Sequence, residues 1–362
     1  MRVLIAGGGT GGHLYPGIAV AEELTRRDAS CEVSFVGTVR GFESRVVPAQ
    51  GYVLDHIRSA GLKGKSLRAL VRGLTLLPLS AFDAWRVLSR RRPDVVVGVG
   101  GYSSGPVLLL AALRGIPTML MEQNTAPGFT NRRLARWVRA AAVSYAETLP
   151  HFPLTGFLSG NPVRREFLRA AESAGDAEPA EGPLRVLIMG GSQGARAIND
   201  AVVAAVPLAA ARGAALAITH QTGERDMARI RDAYAQAGVT ATVDAFFFDL
   251  DARMRDADIV VARAGASTLA ELTVLGRASV LVPLPTAADD HQRRNARVLE
   301  AAGASEVIEE RELTGERMAQ VLVALASDGP RRARMAASAR ALGKPDAAAR
   351  VADRIVVLAG SR

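Results

Sequence analysis

Short apolar runs alternate with longer segments of helical periodicity along the whole chain. In the first half, apolar runs of strand length predict β-strands at 2–6, 32–36, 53–57, 94–98 and 117–121. Between them, helical patterns fall at 14–27, 66–91, 103–114 and 129–136. Strands that alternate with helices predict an α/β domain, in which helices cover both faces of a parallel sheet.

The same pattern restarts in the second half. Residues 170–183 are small, acidic and Pro-containing, which is typical of a loop at a domain boundary. Strand-like runs then recur at 185–189, 215–219, 240–244, 258–262 and 279–282. We therefore predict two doubly wound domains, residues 1–162 and residues 163–344, with a last helix at 345–360 that packs back on the first domain.

One sequence segment occurs twice in nearly the same form, once at the start of each predicted domain. Residues 2–12 read RVLIAGGGTGG and residues 185–194 read RVLIMGGSQG, a strand that runs into a glycine-rich turn before a helix. A third glycine turn, GVGGYSSGP at 98–106, also follows a predicted strand. Such turns leave backbone N–H groups at a helix N-terminus free to bind an anion. The sequence therefore predicts a ligand that carries phosphate groups.

The second strand argues against a nicotinamide or flavin dinucleotide. A dinucleotide-binding domain places Asp or Glu at the end of that strand to hold the ribose. Here EVSFV at 32–36 ends in Gly37 and Thr38, and its only acid, Glu32, lies at the opposite end. No spacing of His, Cys or carboxylates resembles a metal site, so we expect no metal and no cofactor. Backbone dipoles and arginines are expected to meet the phosphate charge.

Composition indicates a reducing compartment, and the lengths of the apolar runs predict no membrane-spanning helix. Apolar residues make up 49% and aromatic residues 5% of the 362 residues, which suits buried parallel sheets. The single cysteine, Cys31, excludes an intramolecular disulfide. The N-terminus MRVLIAGGG does not read as a signal peptide, and no apolar stretch reaches the roughly 18 residues of a spanning helix.

The net charge of +9 allows nucleic acid, an anionic membrane or a general arginine bias as its explanation. Its distribution favours the membrane, because residues 61–92 hold eight basic residues against the single acid Asp83. The same segment carries large apolar residues, at Leu76, Leu79, Phe82 and Trp85. Apolar side chains flanked by cations are typical of a surface that lies on anionic lipid. An ordinary crossover helix with a solvated basic end is the alternative.

Polar side chains near the predicted turns suggest sugar chemistry. His13 follows the first glycine turn and could accept a proton from an attacking hydroxyl, or could cap its helix. Glu271 begins a helix after ARAGAST and could hold both ribose hydroxyls, or could simply favour the helix dipole. The amides of Gln292 and Asn295 can each donate to and accept from a neutral sugar.

Seven motifs in one order give the chain a specific resemblance that extends from residue 2 to the last helix. They are GGTGGHLYPG (8–17), GGYSSGP (100–106), EQN (122–124), GNPVR (160–164), GGSQGAR (190–196), RAGASTLAE (263–271) and DHQRRNA (290–296). In these motifs the chain resembles the MurG glycosyltransferases of bacterial peptidoglycan synthesis. That resemblance implies the GT-B fold, two Rossmann-like doubly wound domains that face a central cleft.

The resemblance also implies a reaction. Members of the family transfer N-acetylglucosamine from UDP-N-acetylglucosamine to the C4 hydroxyl of the muramyl sugar of lipid I, and so form lipid II with inversion and without a metal. The expected partners are these two substrates, an anionic membrane surface at the cytoplasmic face, where the protein would be peripheral, and other cell-wall and division proteins, but no nucleic acid. The 62–86 region becomes the expected membrane face. Another UDP-sugar enzyme of this fold, a lipid glycosyltransferase or a nucleotide-sugar epimerase, remains the alternative, beside a non-catalytic nucleotide sensor.

Residue roles follow from the matched motifs. His13 would be the catalytic base. The donor would be bound by Thr10, Gly11, Gly12, Asn124, Arg164, Ser192, Gln193, Arg263, Ala266, Ser267, Thr268, Glu271, His291, Gln292 and Asn295. The acceptor side would comprise Gly9, Tyr102 and Ser103. Two positions depart from some relatives, Met121 in place of His and His291 in place of Gln, and both affect the expected selectivity for the donor sugar.

Overall fold

The computed structural model describes residues 1–59, 67–173, 182–191 and 193–361, and the side chains of these residues except those of 67–75. By its contacts the chain divides into two units. Unit 1 comprises Met1–Arg164 and Lys344–Arg362, and unit 2 comprises Arg165–Gly343. The predicted boundary at 162 thus lies two residues before the observed one.

Unit 1 is built on a parallel sheet that has seven strands in the described part of the chain. The strands are β1 (Arg2–Gly7), β2 (Glu32–Gly37), β3 (Val53–His56), β4 (Val95–Gly100), β5 (Thr118–Glu122), β6 (Ala140–Val143) and β7 (Gly156–Leu158). The helices between them are α1 (Gly11–Arg27), α2 (Glu43–Ala49), α3 (Leu67–Arg91), α4 (Ser104–Leu113) and α5 (Phe129–Leu134). The strand order is β3-β2-β1-β4-β5-β6-β7.

Unit 2 repeats this architecture with a parallel sheet of six strands among its described residues. The strands are β8 (Leu184–Met189), β9 (Leu216–Gln221), β10 (Ala241–Asp244), β11 (Ile259–Ala262), β12 (Ala278–Leu281) and β13 (Ser305–Val307), in the order β10-β9-β8-β11-β12-β13. The helices are α6 (Arg165–Ser173), α7 (Arg196–Ala211), α8 (Met227–Gln236), α9 (Leu250–Asp256), α10 (Ala266–Leu275), α11 (His291–Ala301), α12 (Gly315–Ser327) and α13 (Gly329–Leu342).

The C-terminal helix, α14 (Ala347–Gly360), belongs to unit 1. Its apolar face, which includes Val351 and Ile355, joins the buried cluster around Val3, Ile5 and Val97 on one face of the first sheet. The opposite face of that sheet is covered by α3 and α4, which bury Leu88 and Leu108 among others. Because both faces are covered, central strands such as VVVGVG can be apolar at every position.

In each sheet, the strands that follow the first one are added on one side of it and later strands on the other side, so each sheet has one topological switch point. In unit 1 this point lies between β1 and β4, and in unit 2 between β8 and β11. Loops that leave adjacent strands in opposite directions open a crevice at the carboxyl edge, where ligands of doubly wound domains bind. The glycine turns lie at these two points, so the topology itself selects them as the candidate sites.

Candidate active site

The two glycine turns of unit 1 lie against each other. The register of the sheet places Gly7 of β1 beside Gly100 of β4, and the Gly8 N–H donates to the Gly100 carbonyl at 3.3 Å. A Cβ at Gly101 would overlap the Gly8 carbonyl, and Gly101 has φ +80°. Glycine is therefore required here by both the backbone conformation and the close approach.

A buried carboxylate, that of Glu43, braces the first turn. Glu43 is 1% exposed, and its Oε2 accepts from the Gly9 N–H at 2.7 Å. Its Oε1 accepts from the N–H and the hydroxyl of Thr38, at 2.8 and 3.0 Å. A Cβ at Gly8, Gly37 or Gly41 would overlap this side chain. The carboxylate thus fills a cage that only glycines can form.

This contact corrects the expectation that the N–H groups of the first turn are free for an anion. The Gly9 N–H already has a negatively charged acceptor inside the protein, so this turn is not an empty phosphate cradle at that position. No sequence signal points to Glu43, because it stands 34 positions beyond Gly9 in a helix without a recognisable motif.

His13 lies in the first turn of α1, which begins three residues earlier than predicted. Its Nδ1 lies 3.1 Å from Thr10 Oγ1, and Thr10 is the N-cap residue but makes no side-chain cap. The ring packs on Gly100, where a Cβ would come within 2.5 Å of Cδ2 and 3.0 Å of Nε2. When Nδ1–H donates to Thr10, Nε2 carries the lone pair that a general base needs.

Asn124 is held by a buried glutamate of its own motif. Glu122 Oε1 accepts from the backbone and side-chain N–H groups of Asn124, at 3.1 and 3.3 Å. Its Oε2 accepts from the Gly128 N–H and from Asn131 Nδ2, at 2.9 and 2.8 Å. Burial raises the pKa of Glu122, and the four hydrogen bonds oppose that rise. Glu122 therefore orients the Asn124 amide at the end of β5.

Three further predicted residues of unit 1 lie near these turns. Tyr102 is exposed, and its carbonyl accepts from Ser59 Oγ at 2.9 Å, whereas Ser103 is buried. The Arg164 guanidinium lies over the ring of Tyr15, 4.4 Å from its centroid. This cation–π contact holds Arg164 against α1, which is the helix that also carries His13.

In unit 2, the turn after β8 leads directly into α7. Gly190 and Gly191 begin it, Gln193 is exposed, and Ser192 lies outside the described residues. The N-cap residue Ala195 makes no side-chain cap, and neither does Gly265, which precedes α10 at the same switch point. The N-terminal N–H groups of both helices therefore face the carboxyl edge without a side-chain acceptor from their cap residues.

The end of β9 supports this turn. Gln221 is buried, its Nε2 donates to the Gly191 carbonyl at 3.4 Å, and its Oε1 accepts from the Phe247 N–H at 3.0 Å. The Phe247 loop also carries Phe246 and Phe248, whose rings make an edge contact at 5.2 Å. Gln221 thus links the glycine turn to an aromatic loop that sequence reasoning did not single out.

The RAGASTLAE segment forms the end of β11 and the start of α10. Arg263 is anchored by the carbonyls of Val282 and Pro283, at 3.2 and 3.3 Å, and by an ion pair with Glu310 at 2.5 Å. Ala266 is buried at the first position of α10, and Ser267 and Thr268, which follow it, are half-buried. Glu271 is buried on the second turn, on the same helix.

The DHQRRNA segment begins α11 after a left-handed stretch. Asp289 and Asp290 have φ of 53° and 56°, a conformation that non-glycine residues rarely adopt and that clusters at functional sites. His291 Nδ1 donates to the Ala288 carbonyl at 2.7 Å, and Gln292 Oε1 accepts from the Leu284 N–H at 3.0 Å. The neighbouring Asn295 is fully buried.

The outer face of α3 carries the predicted membrane residues. Phe82 and Trp85 are 53% and 51% exposed, their rings stack at 6.4 Å, and Leu79 is exposed one turn earlier. Leu76 is half-buried. Arg86 lies over Phe82, whereas Arg90 and Arg91 pair with the buried carboxylate of Asp55, so part of the basic charge counted in the sequence is neutralised.

The described ranges hold neither a membrane-spanning helix nor a metal-type cluster. Among them, no helix is long and apolar enough to cross a bilayer. Within the same ranges, no three His, Cys, Asp or Glu side chains lie together as a metal site would require.

Comparisons with known proteins match both units of the chain. The family models for the N-terminal and C-terminal domains of glycosyltransferase family 28 match residues 3–143 and 185–351. The chain is 49% identical, over 98% of its length and 92% of the relative's, to the UDP-N-acetylglucosamine–N-acetylmuramyl-(pentapeptide) pyrophosphoryl-undecaprenol N-acetylglucosamine transferase of Anaeromyxobacter dehalogenans strain 2CP-C. The transferase of that name from Myxococcus xanthus strain DK1622 is 48% identical over the same shares. The crystal structure of Acinetobacter baumannii MurG superposes with a TM-score of 0.79 at 31% identity, covering 98% of this chain and 99% of that one.

Proposed function

Because this chain belongs to the MurG transferases of glycosyltransferase family 28, we propose that it catalyses their reaction. It transfers N-acetylglucosamine from UDP-N-acetylglucosamine to the C4 hydroxyl of the muramyl sugar of lipid I, with inversion, and forms lipid II. The observation that carries this proposal is the identity of 49% over 98% of the chain, which extends through both units.

In this proposal unit 2 supplies most of the contacts to the donor, and Arg164 and Asn124 of unit 1 supply others. The diphosphate lies at the turn of residues 190–195, where the helix dipole of α7 and the N–H groups stabilise the leaving UDP. Ser192 and Gln193 contact the phosphates, and Arg164 approaches the nucleotide. Arg263 and Ala266 border the base, with Ser267 and Thr268 at the start of α10. Asn124, His291 and Gln292 contact the sugar, supported by Asn295.

Unit 1 binds the acceptor and supplies the base. Gly9, Tyr102 and Ser103 contact the acceptor, whereas Thr10, Gly11 and Gly12 keep the donor-binding role that the matched motifs assign to them. His13 removes the proton of the C4 hydroxyl as its oxygen attacks the anomeric carbon from the face opposite UDP. The contact between Gly9 and Glu43 supports this division of roles, since a turn that holds its own carboxylate suits hydroxyl groups better than a second diphosphate.

Glu271→Ala is expected to raise the KM for the donor about tenfold or more, because a carboxylate that accepts from two ribose hydroxyls contributes about 1.5–3 kcal/mol per bond. The KM for the acceptor should change little. Initial-rate kinetics with each substrate varied in turn measures both constants. Glu316→Ala, an exposed glutamate of the same unit, is the matched control. An unchanged donor KM would remove Glu271 from the ribose site.

The outer face of α3 is proposed to dock on the cytoplasmic face of the membrane, where the lipid-linked acceptor resides. Leu79, Phe82 and Trp85 are exposed, and Leu113 on α4 is exposed close by, since Arg114 Nη1 donates to Ser89 Oγ of α3 at 3.1 Å. Solvent-exposed aromatic and aliphatic side chains next to arginines suit the interface of an anionic bilayer. The protein would be peripheral.

Trp85→Glu is expected to weaken binding to anionic vesicles about tenfold or more, since it removes an exposed apolar side chain whose burial in lipid is worth about 1.5–3 kcal/mol and adds a charge that anionic lipid repels. Leu76→Glu should act in the same direction but less strongly, because Leu76 is only half-exposed. Sedimentation with vesicles at rising salt measures the effect. Val357→Glu, equally exposed on α14, is the control and should bind normally. Normal binding by Trp85→Glu would assign α3 to another role.

One experiment tests the function as a whole. Purified protein is incubated with labelled UDP-N-acetylglucosamine and a lipid I analogue in the presence of EDTA. We expect the label to move to the lipid I analogue. Label on a diacylglycerol added in parallel would indicate a lipid glycosyltransferase, and an epimerised sugar nucleotide would indicate an epimerase. UDP binding without turnover would indicate a sensor, and any of these three results overturns the proposal.

A further inference from the structure

A chain of buried polar side chains lies behind the glycine turn of unit 2. His220, at the end of β9, is fully buried between Tyr234 on α8 and Asn199 on α7. Its Nδ1 lies 2.9 Å from the Tyr234 hydroxyl, and its Nε2 lies 3.0 Å from Asn199 Oδ1. Asn199 Nδ2 donates in turn to the Thr222 carbonyl at 3.0 Å and to Asp226 Oδ2 at 2.9 Å.

The acceptors fix the direction of every hydrogen bond in this chain. A carbonyl and a carboxylate oxygen can only accept, so Nδ2 of Asn199 is the donor and Oδ1 is left as an acceptor. His220 must therefore carry its proton on Nε2, and its Nδ1 must accept from the Tyr234 O–H. A core side chain that only fills space needs no fixed assignment of donors and acceptors. Here that assignment links three elements, α7, α8 and β9, in one arrangement.

This chain of hydrogen bonds ends at the turn that is proposed to receive the diphosphate. Asn199 lies on the first turn of α7, four residues after Ala195. The Thr222 carbonyl that it holds faces Gly194, where a Cβ would overlap that oxygen. The Gly194 Cα and the backbone of Gly223 are packed so closely that neither position admits a side chain. A shift of Asn199 would therefore move the turn directly.

We propose that the Tyr234–His220–Asn199 chain is a positioning device for donor binding, which holds Gly194 and the start of α7 in the position that receives the donor's diphosphate. This inference rests on the proposed function. None of the three side chains is proposed to touch the substrates, and they act through the backbone of Gly194 and the start of α7.

Tyr234→Phe tests the proposal, because it keeps the ring and removes only the hydroxyl that donates to His220. We expect the Kd for UDP and the KM for the donor to rise about threefold or more, as a buried acceptor loses its partner. The KM for the acceptor should stay at the wild-type value. Tyr52→Phe is the matched control: it removes a half-buried tyrosine hydroxyl that bonds Thr25 in unit 1, and it should leave the UDP Kd unchanged.

If the hydrogen-bond chain contributes only to stability, Tyr234→Phe gives a different result. If Tyr234→Phe lowers the melting temperature but leaves the UDP Kd and the donor KM at wild-type values, the positioning role is overturned. Hydrogen exchange of the Gln193 and Gly194 amides gives a second readout that needs no variant to be active. We expect these amides to exchange faster in Tyr234→Phe, and wild-type exchange rates would also overturn the proposal.

Failure of the proposed function is recognised separately. A wild-type protein that binds UDP without transferring sugar contradicts the proposed reaction, yet its UDP Kd still tests the hydrogen-bond chain. A wild-type protein that does not bind UDP overturns both.

Discussion

His13→Ala is expected to lower kcat by about 10²-fold or more, with the Kd for UDP unchanged, because a positioned general base contributes at least that much to proton transfer. The structure places the ring at the carboxyl edge of unit 1, with Nδ1 beside Thr10 Oγ1 and its other edge on Gly100. Single-turnover kinetics at saturating donor and acceptor measures the chemical step apart from binding.

The pH dependence of kcat is the second signature of a base. Wild-type kcat should fall in acid as the imidazole takes up a proton, and the residual rate of His13→Ala should lack that limb. His151→Ala, an exposed histidine of the same unit, is the control and should retain full turnover. A His13→Ala enzyme with near-normal kcat would place the base elsewhere in the site.

Acidification below about pH 6.5 is expected to destabilise the protein through His220. Burial lowers the pKa of His220 to about 3, although the Asp226 carboxylate favours the charged ring. The unfolded chain takes up a proton near pH 6.5, but the folded protein does not until about pH 3. Stability from this residue is therefore complete above pH 6.5 and decreases as the pH falls. The expected loss is roughly 2–3 kcal/mol between pH 6.5 and pH 4.5.

Urea unfolding at several pH values tests this, with His220→Gln as the reference. The difference in unfolding free energy between wild type and variant isolates His220, because the acids of both proteins titrate alike. The advantage of the wild type should shrink as the pH falls. A ring-nitrogen NMR titration adds a direct check, in which His220 should remain neutral at pH 5. Parallel pH profiles of the two proteins, or a charged ring at pH 5, would contradict the expectation.

Much of the fold could be predicted because its signals are local. Buried parallel strands are continuous apolar runs, and a glycine turn that follows a strand marks the carboxyl edge, so β1, β4 and β8 are visible within a few residues of sequence. The strands that sequence reasoning missed are β6, β7 and β13. Their sequences, AAAV, GFL and SEV, lack the run of large or β-branched apolar residues that marks a buried strand.

The supporting side chains of the site could not be predicted, because each acts across a long separation in sequence. Glu43 contacts Gly9 only because the folded chain places α2 against the first glycine turn. His220 contacts Asn199 only because β9 pairs with β8. No local pattern distinguishes such residues from ordinary surface or core positions. The motif residues were accessible to sequence reasoning because each motif is a short contiguous run, whereas their supports required the folded sheet.

The glutamate cage has a consequence for how the sequence can vary. The Glu43 side chain occupies the space of three absent β-carbons, at Gly8, Gly37 and Gly41, so these four positions constrain one another although the first and last lie 35 positions apart. A lineage that replaced the glutamate with a smaller residue would release Gly37 and Gly41 at once, whereas the φ of +144° would still restrict Gly8. A lineage that replaced any one of the three glycines would have to alter the glutamate as well. Drift at this turn is therefore expected to proceed by linked exchanges.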